Sequence, residues 1–484
     1  MARQTNSWAA LIALCIGFFM ILLDTTIVTI AIPSMVRGLH TDLNSVVWVL
    51  SIYLLTYAVP MLFTSRLGDR FGPKRVFLAG LAVFTLASLW CGLSGTAEML
   101  IAARAVQGIG AALMTPQTLA FITHLFPPAK RGPAMGLWGG VAGLATIAGP
   151  LLGGLLVDGL GWEWIFFVNV PIGVVGFAMT MFFVPDWQPK HAHSFDLLGI
   201  ALSAAGLCCL VFGIQNGQHY SWGAVFGPVN VFEIIGAGVV LLAAFVVWQR
   251  FNTREPLLPL RVFNNRNFST GTITATAIGF SITGMFVPVV LYTQNVLGMT
   301  PAMAGVLTAP MSLLSGIVAP FAGRLSDKIN AKYLVMTGFV ALALGLLIIA
   351  LQARSGTNPW ALVPALLVCG LGTGCVFAPM SNVAMGSVPR ELAGSASGIF
   401  NTSRQVGGVL GSAAIGVLLQ VRITTNMAAQ HGNAAVALTD AARETLILPI
   451  IVLLIGAVAA LAMRRPARQD PAPRPDATAE PATA

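Results

Sequence analysis

The sequence predicts an all-α, polytopic membrane protein with fourteen transmembrane helices. Three observations carry that prediction: the composition, the length of the apolar runs, and the way Lys and Arg divide between alternate loops. Of 484 residues, 56% are hydrophobic and only 9% are charged. Soluble domains carry ~25% charged residues, so there is too little polar material here to coat a globule of this size. Mean hydropathy is +0.82. A soluble enzyme, a secreted disulfide scaffold, a nucleic-acid-binding domain and a disordered chain are thereby excluded. The apolar residues run on without alternation, which excludes a porin-like barrel.

Apolar windows of about 20 residues, the length that crosses a bilayer, fall near 8–32, 46–64, 76–94, 98–122, 134–157, 164–184, 196–214 and 229–248. After the polar segment RFNTREPLLPLRVFNNRNF, six more follow near 270–294, 302–323, 333–352, 359–387, 395–420 and 445–463. The first run is longer than a signal-peptide core, contains Asp24 and follows only one basic residue, Arg3, so a retained span is expected. Residues 464–484, rich in Pro and Ala, read as a disordered tail. An even number of spans puts both termini on one side. The loops of that side hold 20 of the 26 Lys and Arg, and the other side holds four, Arg37, Arg354, Arg422 and Arg443. The positive-inside rule then places both termini in the cytoplasm of a multi-pass protein of the cytoplasmic (inner) membrane. The six cysteines lie in apolar runs and act as small hydrophobes. His191 and His193 are too short a pair to hold a metal alone, and no metal or other cofactor is expected.

The loop after the second span reads SRLGDRFGPKR (65–75) and the loop after the tenth reads GRLSDKINAK (323–332). Leu, Asp, a following base and a late Lys recur in order. The two aspartates, Asp69 and Asp327, are 258 residues apart, the offset expected of two six-helix bundles separated by an extra helix pair. The expected organisation is an N-terminal bundle over 8–184, two additional helices with their connecting loops over 185–262, a C-terminal bundle over 263–463, and the tail 464–484.

This doubled template resembles the cytoplasmic loop signature of the major facilitator superfamily, G-x-L-a-D-r-x-G-r-k. Further segments narrow the resemblance to its fourteen-helix drug:proton antiporter family. They are LDTTIVTIAIP (23–33), RAVQGIG (104–110), GPLLGG (149–154), GWEWIFFVNVPIG (161–173), FDLLG (195–199), PLLPLRVF (256–263) and GSASGIFNTSRQVGG (394–408). The ordered set spans the chain from residue 23 to about 420. There are departures. Ser65 stands for the first loop's opening glycine, Pro73 for a base, Asn330 for the second loop's glycine, Thr29 for an asparagine, Ala145 for a glycine and Glu163 for an arginine.

Asp24 lies two thirds of the way along span 1, where a carboxylate costs ~2.5–3.5 kcal/mol even on the lenient insertion scale. Burial favours the neutral acid and a nearby cation favours the anion, so a carboxyl under both influences is poised to load and release a proton. A carboxyl that only hydrogen-bonds a neighbouring helix is the other reading. Arg104 is the one Lys or Arg well inside the first six spans, and Gln107, one turn on, is placed to hold its guanidinium. Contact between Asp24 and Arg104 is expected. The resemblance implies a part for Arg104 in proton transfer. For Arg404, beside Gln405 in span 13, a snorkelling role and a bundle-interior role both stand. Glu233, four residues into span 8, is expected to be peripheral.

Gly149, Pro150, Gly153 and Gly154 bring small residues four apart next to a proline, which allows close helix approach and a bend. The resemblance links this pattern to exporters, with a hinge or seal as its role. Asp69, Arg70 and Gly72, with Asp327 and Lys328, are expected to act as latches between helix ends at the cytoplasmic face. A substrate lining is nominated from Tyr53, Tyr57, Tyr292, Gln294 and Asn401, against the alternative of plain packing.

The function expected from these residues and the resemblance is a proton-coupled exporter (drug:H+ antiporter). It would move hydrophobic or amphipathic compounds such as antibiotics, dyes or toxic metabolites by alternating access. The chain has no Gly-x-x-x-x-Gly-Lys-Ser/Thr loop, so ATP is not the expected power source. Expected partners are a small-molecule substrate, protons and the lipid bilayer, with no nucleic acid, and the expected state is a monomer. An importer of the same fold is the rival. A membrane enzyme or receptor is remote, for want of a nucleophile–base pair at a membrane face or a sizeable external domain.

Overall fold

The computed structural model describes residues 6–187, 196–252, 256–386, 388, 392–430 and 433–464. His191, His193, Arg3, Arg390 and the tail 465–484 lie outside the described residues. Fourteen helices are long and apolar enough to cross a membrane. They are α1 (Ser7–Ile30), α2 (Leu43–Phe71), α3 (Pro73–Gly92), α4 (Ala97–Leu125), α5 (Pro128–Gly159), α6 (Asn169–Phe183, after a short turn Trp164–Phe167) and the additional pair α7 (Leu197–Asn216) and α8 (Val231–Phe251). After these come α9 (Arg266–Leu291), α10 (Pro301–Lys328), α11 (Ala331–Gln352), α12 (Val363–Gly386), α13 (Ala393–Ala429) and α14 (Ile447–Leu461), the last being the end of the fourteenth span, Ala434–Leu461. The strand pair Ala224–Phe226 and Val229–Asn230, a small antiparallel ribbon between α7 and α8, is the one non-helical element among the described residues.

Helix starts follow local chemistry. Asn6, Asp42, Thr96, Asn265 and Thr300 each accept a backbone N–H of the first turn that they cap. Glu233 belongs to a capping box with Asn230 at the start of α8. Two boundaries differ from the hydropathy reading. The helix of span 13 runs to Ala429, and a further helix, Ala434–Thr445, precedes α14, because hydropathy marks where hydrocarbon ends and not where helix ends. Arg422 and Arg443, expected in a loop, sit on these helices and pair with Glu444 at 3.3 Å and Asp440 at 3.6 Å. The loop after span 2 is the second difference. Helix α2 continues to Phe71, and Gly72 alone makes the turn with φ of +90° before Pro73 opens α3. Only glycine adopts that φ without strain, and proline suits a first helical position.

The sequence repeat is also a packing repeat. A Cβ on Gly80 of α3 would meet the Gly110 carbonyl of α4 at 2.8 Å, and one on Gly338 of α11 would meet the Gly372 carbonyl of α12 at 2.8 Å. Gly338 follows Gly80 by 258 residues, the Asp69 to Asp327 offset. Each notch lets two backbones touch. The two halves join along α5 with α10 and α2 with α13.

The additional pair holds itself together and leans on α2. Asp196 caps α7 and accepts from Trp248 Nε1 at 2.8 Å and Gln249 Nε2 at 2.6 Å of α8. Burial alone would raise this carboxyl's pKa, but the donors from Gln249, Trp248, Gly199 and Asn252 outweigh it and hold the group below its ordinary range. At the other end of α7, Asn216 Oδ1 accepts from Asn44 at 3.1 Å and Trp48 at 3.0 Å of α2. Helix α8 is the least buried of the fourteen, a surface suited to lipid.

Candidate functional site: a buried carboxylate network beside an interhelical seal

Asp24, Arg104, Gln107, Asn169 and Ser88 are all fully buried, at 0% exposure. They come from α1, α4, α4, α6 and α3. Arg104 Nη1 donates to Asp24 Oδ2 and, at 2.7 Å, to Gln107 Oε1, while its Nε donates to the Val49 carbonyl at 3.2 Å. Gln107 Nε2 donates to Asp24 Oδ1 at 2.9 Å, and Asn169 Nδ2 reaches the same oxygen at 3.3 Å and Ser88 Oγ at 3.1 Å. Ser88 in turn donates to the Phe166 carbonyl at 2.9 Å. The guanidinium sits 4.0 Å from the centroid of the Tyr53 ring and 5.7 Å from that of Phe166, within cation–π range. Two polar atoms in this cage have no partner among the described residues: Arg104 Nη2 and Asn169 Oδ1. A charge pair removed from water holds only when its remaining lone pairs and protons are met, and here Gln107 and Asn169 donate to the carboxylate while Gln107 Oε1 and the Val49 carbonyl accept from the guanidinium.

One turn along α1 from Asp24 the helix meets the glycines of α5. A Cβ on Gly149 would lie 2.7 Å from Thr26 Cβ, and one on Gly153 would lie 2.7 Å from Ile27 Cγ1. The neighbouring positions face the other half. A Cβ on Gly154 would meet Ala302 Cα of α10 at 2.7 Å, and one on Gly305 of α10 would meet the Pro150 carbonyl carbon at 2.9 Å. Helix α5 is thus clasped by α1 on one side and α10 on the other, both through backbone-to-backbone approach.

Those contacts lie toward the far face, the one opposite residues 6 and 464. Asp158 accepts from the Ala302 N–H at 3.0 Å, Gln294 Nε2 donates to the Ile30 carbonyl at 2.9 Å, and Ser51 of α2 meets Ser412 of α13 at 2.8 Å. Toward the terminal face the helices part. Gly140 is on the same stripe of α5 as Gly154, about four turns away, yet neither it nor Gly136 nor Gly139 has anything within 4 Å of a Cβ position. The halves are sealed at the far face and spread between α5 and α10 at the terminal face. Placing Leu at Gly305 would force α5 and α10 apart at a cost of ~1–3 kcal/mol, a ~5- to 150-fold shift away from this closed arrangement. The expected readout is a matching rise in labelling of a single cysteine introduced at the far end of α10; unchanged labelling would show that the seal does not depend on this notch.

Residues 14–412 match the Major Facilitator Superfamily. The chain belongs to that superfamily. It is 45% identical over 94% of its length to an uncharacterised MFS-type transporter of Mycobacterium tuberculosis, covering 81% of that protein. It is 37% identical over 86% of its length to the tetracenomycin C resistance and export protein of Streptomyces glaucescens, covering 76% of it. Among solved structures it resembles a bacterial homologue of the human lysosomal transporter Spinster in an inward-facing, unoccupied conformation, with a TM-score of 0.66 at 15% identity over 98% of this chain and all of that one. The superfamily is one of membrane transporters and not of enzymes.

Against that fold the nominated substrate residues fall in separate places. Tyr53 is 1% exposed and lies beneath Arg104, inside the carboxylate network. Tyr292 and Gln294 occupy a π-helical turn at the far end of α9, Tyr292 OH accepting from the Arg354 N–H at 3.0 Å and Gln294 tying α9 to α1. Tyr57 OH bonds Thr115 at 2.9 Å, and Asn401 is half-buried on α13. Tyr57 is 2% exposed and packed in the core, so of the five only Asn401 keeps an appreciable exposed surface. Asp69 and Arg70 lie in the last turn of α2 and Lys328 in that of α10; the Asp327 side chain lies outside the described residues. Asn330 caps α11 in place of the second loop's glycine. Among the described residues no group of three His, Cys, Asp or Glu is placed to hold a metal. Asn169 and Ser88 belong to the network and were not singled out from sequence.

Proposed function

We propose that the chain is a proton-driven exporter of amphipathic small molecules, built as two bundles over 8–184 and 263–463 with the additional pair between them and both termini in the cytoplasm. The carrying observation is that the Asp24 network and the seal between halves share a helix: α1 holds the carboxylate and, one turn later, packs into α5, whose opposite edge packs into α10. A change at Asp24 is felt at the seal through α1 and α5. Ionised, Asp24 draws Arg104, Gln107 and Asn169 together and keeps α1, α4 and α6 compact. Protonated, it loses most of its attraction for Arg104 and gains an O–H donor, for which a flipped Asn169 amide supplies the acceptor that is now unpaired. Protonation from the far side and release to the terminal side then alternate with opening of the two ends. The relative described as a tetracenomycin C resistance and export protein supports the direction of transport. In liposomes with an acidic lumen and the terminal face outward, a driven compound should accumulate inside. A proton-coupled importer of the same fold would deplete it from the lumen instead.

A further inference from the structure

Helices α2 and α13 close on each other as a zipper whose teeth are small. Val47 faces Gly416 (Cγ1 2.8 Å from a Cβ there), Ser51 bonds Ser412 at 2.8 Å, and Leu54 faces Gly408 (Cδ1 3.8 Å from a Cβ there). These positions on α13 step by four residues, one face of a helix. The next tooth is Arg404, and the next position on α2 is Tyr57, which lies within electrostatic reach of it. The seal therefore ends at the first large side chain of the row, and that side chain is a cation.

Its surroundings leave it uncompensated. Arg404 is half-buried and makes no hydrogen bond or ion pair among the described residues. It lies nine residues from the start of its span at Ser395, ~13 Å along the helix and close to the middle of a ~30 Å hydrocarbon layer, too deep for its stem to carry the charge to the interface. The elements packed against α13 are α2, α7, α9, α12 and the helix Ala434–Thr445. Their acids are Asp69 in the last turn of α2 and Asp440 and Glu444 at the far face, the last beside Arg422. Helices α7, α9 and α12 carry none. Asp69 is twelve residues from Tyr57, ~18 Å along the helix. Asp24, the one mid-membrane carboxylate among the described residues, is enclosed by Arg104, Gln107 and Asn169. A guanidinium cannot shed its charge, and a charge at this depth persists where it meets water or a counter-charge.

We propose that Arg404 is the anion-recognising residue at the apex of the transport cavity, and that the exported compounds are amphipathic organic anions whose acidic group pairs with it while their apolar part lies against the walls. Asn401, one turn away on α13, is the neighbouring hydrogen-bonding group, whereas the Tyr57 hydroxyl on α2 is engaged by Thr115. The assignment rests on the exporter reading for the existence of the cavity. It adds that exchange of one proton inward for one monovalent anion outward moves two charges per cycle, so that an inside-negative potential drives both legs.

Two dyes that share the xanthene ring system and differ in charge make the test: fluorescein, an anion, and rhodamine 6G, a cation. Binding of each to the purified full-length protein is read by fluorescence anisotropy. The expected result is tighter binding of fluorescein than of rhodamine 6G. Arg404→Gln should weaken fluorescein by about 10- to 100-fold, the worth of one charge-assisted pair, without weakening rhodamine 6G, while Arg404→Lys keeps part of the preference. A wild-type protein with no preference for the anion, including one that binds neither dye, overturns the proposal, and so does fluorescein binding that survives Arg404→Gln. Should the Gln variant fail to fold, the wild-type preference and the Lys variant decide alone. Proton-driven uptake by Asp24→Asn, measured in parallel, reports on the exporter reading separately: coupled uptake that persists in that variant removes the proton carrier, while the role of Arg404 is still decided by the dye preference.

Discussion

An Asp24→Asn protein is expected to exchange labelled for unlabelled substrate across a liposome membrane and yet to build no gradient when a pH difference is imposed. The amide is nearly the shape of the acid and keeps partners in Gln107 and Asn169, so the cage can close around it; what it lacks is a proton to take up and give back. A protonated site would behave like the amide for half of the cycle and a charged one for the other half, whereas Asn is fixed in the first. The loss is large because the proton supplies the drive: each charge moved across 100 mV is worth ~2.3 kcal/mol, or a ~50-fold gradient. Concentrative uptake should fall to the equilibrium level while exchange stays within a few-fold of the wild type. Undiminished concentrative uptake would mean that the proton travels elsewhere.

Removing the cation instead should damage the fold. Arg104→Gln leaves Asp24 buried at 0% exposure with its strongest partner gone, and breaking a buried pair from one side costs ~3–5 kcal/mol. The loss comes from an uncompensated charge, so it should shrink when the charge is removed as well. The double variant Asp24→Asn/Arg104→Gln is expected to recover at least ~1 kcal/mol relative to the sum of the single effects. Thermal unfolding of the four proteins in one detergent measures this. Additive single effects would show that the two side chains do not act as a pair. Tyr53 sets a lower bound on what Arg104→Gln loses, since the ring under the guanidinium is worth ~0.5–2 kcal/mol of cation–π attraction by itself.

The spans were legible because a bilayer imposes a length on apolar sequence, and all fourteen were found within a few residues except where helix outruns hydrocarbon, as at Arg422 on α13. The meeting of Asp24 with Arg104 and Gln107 was legible for a related reason. Charges within hydrocarbon are few enough that an acid and a base in neighbouring spans of one bundle have little else to meet, and Gln107 follows Arg104 at helical spacing. Asn169 and Ser88 were not legible. Many neutral polar residues in these helices only bond their own backbone one turn back, as Thr25, Thr85, Thr272 and Thr308 do, and nothing in sequence separates those from the two that cross to another helix. Tyr53 and Tyr57 show a different limit. Spacing along α2 gives a shared face but not its neighbour, and a small rotation sets one ring under Arg104 and the other beside Thr115. The closed far end was marked in part by Gly149-Pro150 and Gly153-Gly154, but the partner glycine, Gly305, needed the packing of α10 to identify it.

Infrared difference spectroscopy of the reconstituted protein, recorded while the pH is stepped through the working range, addresses the carboxyl itself. If Asp24 loads and releases the transported proton, acidification brings up a carboxylic-acid C=O stretch at the expense of a carboxylate band, and that pair of signals is absent from Asp24→Asn. A difference spectrum unchanged by Asp24→Asn, or one in which this carboxyl stays ionised throughout, would contradict it.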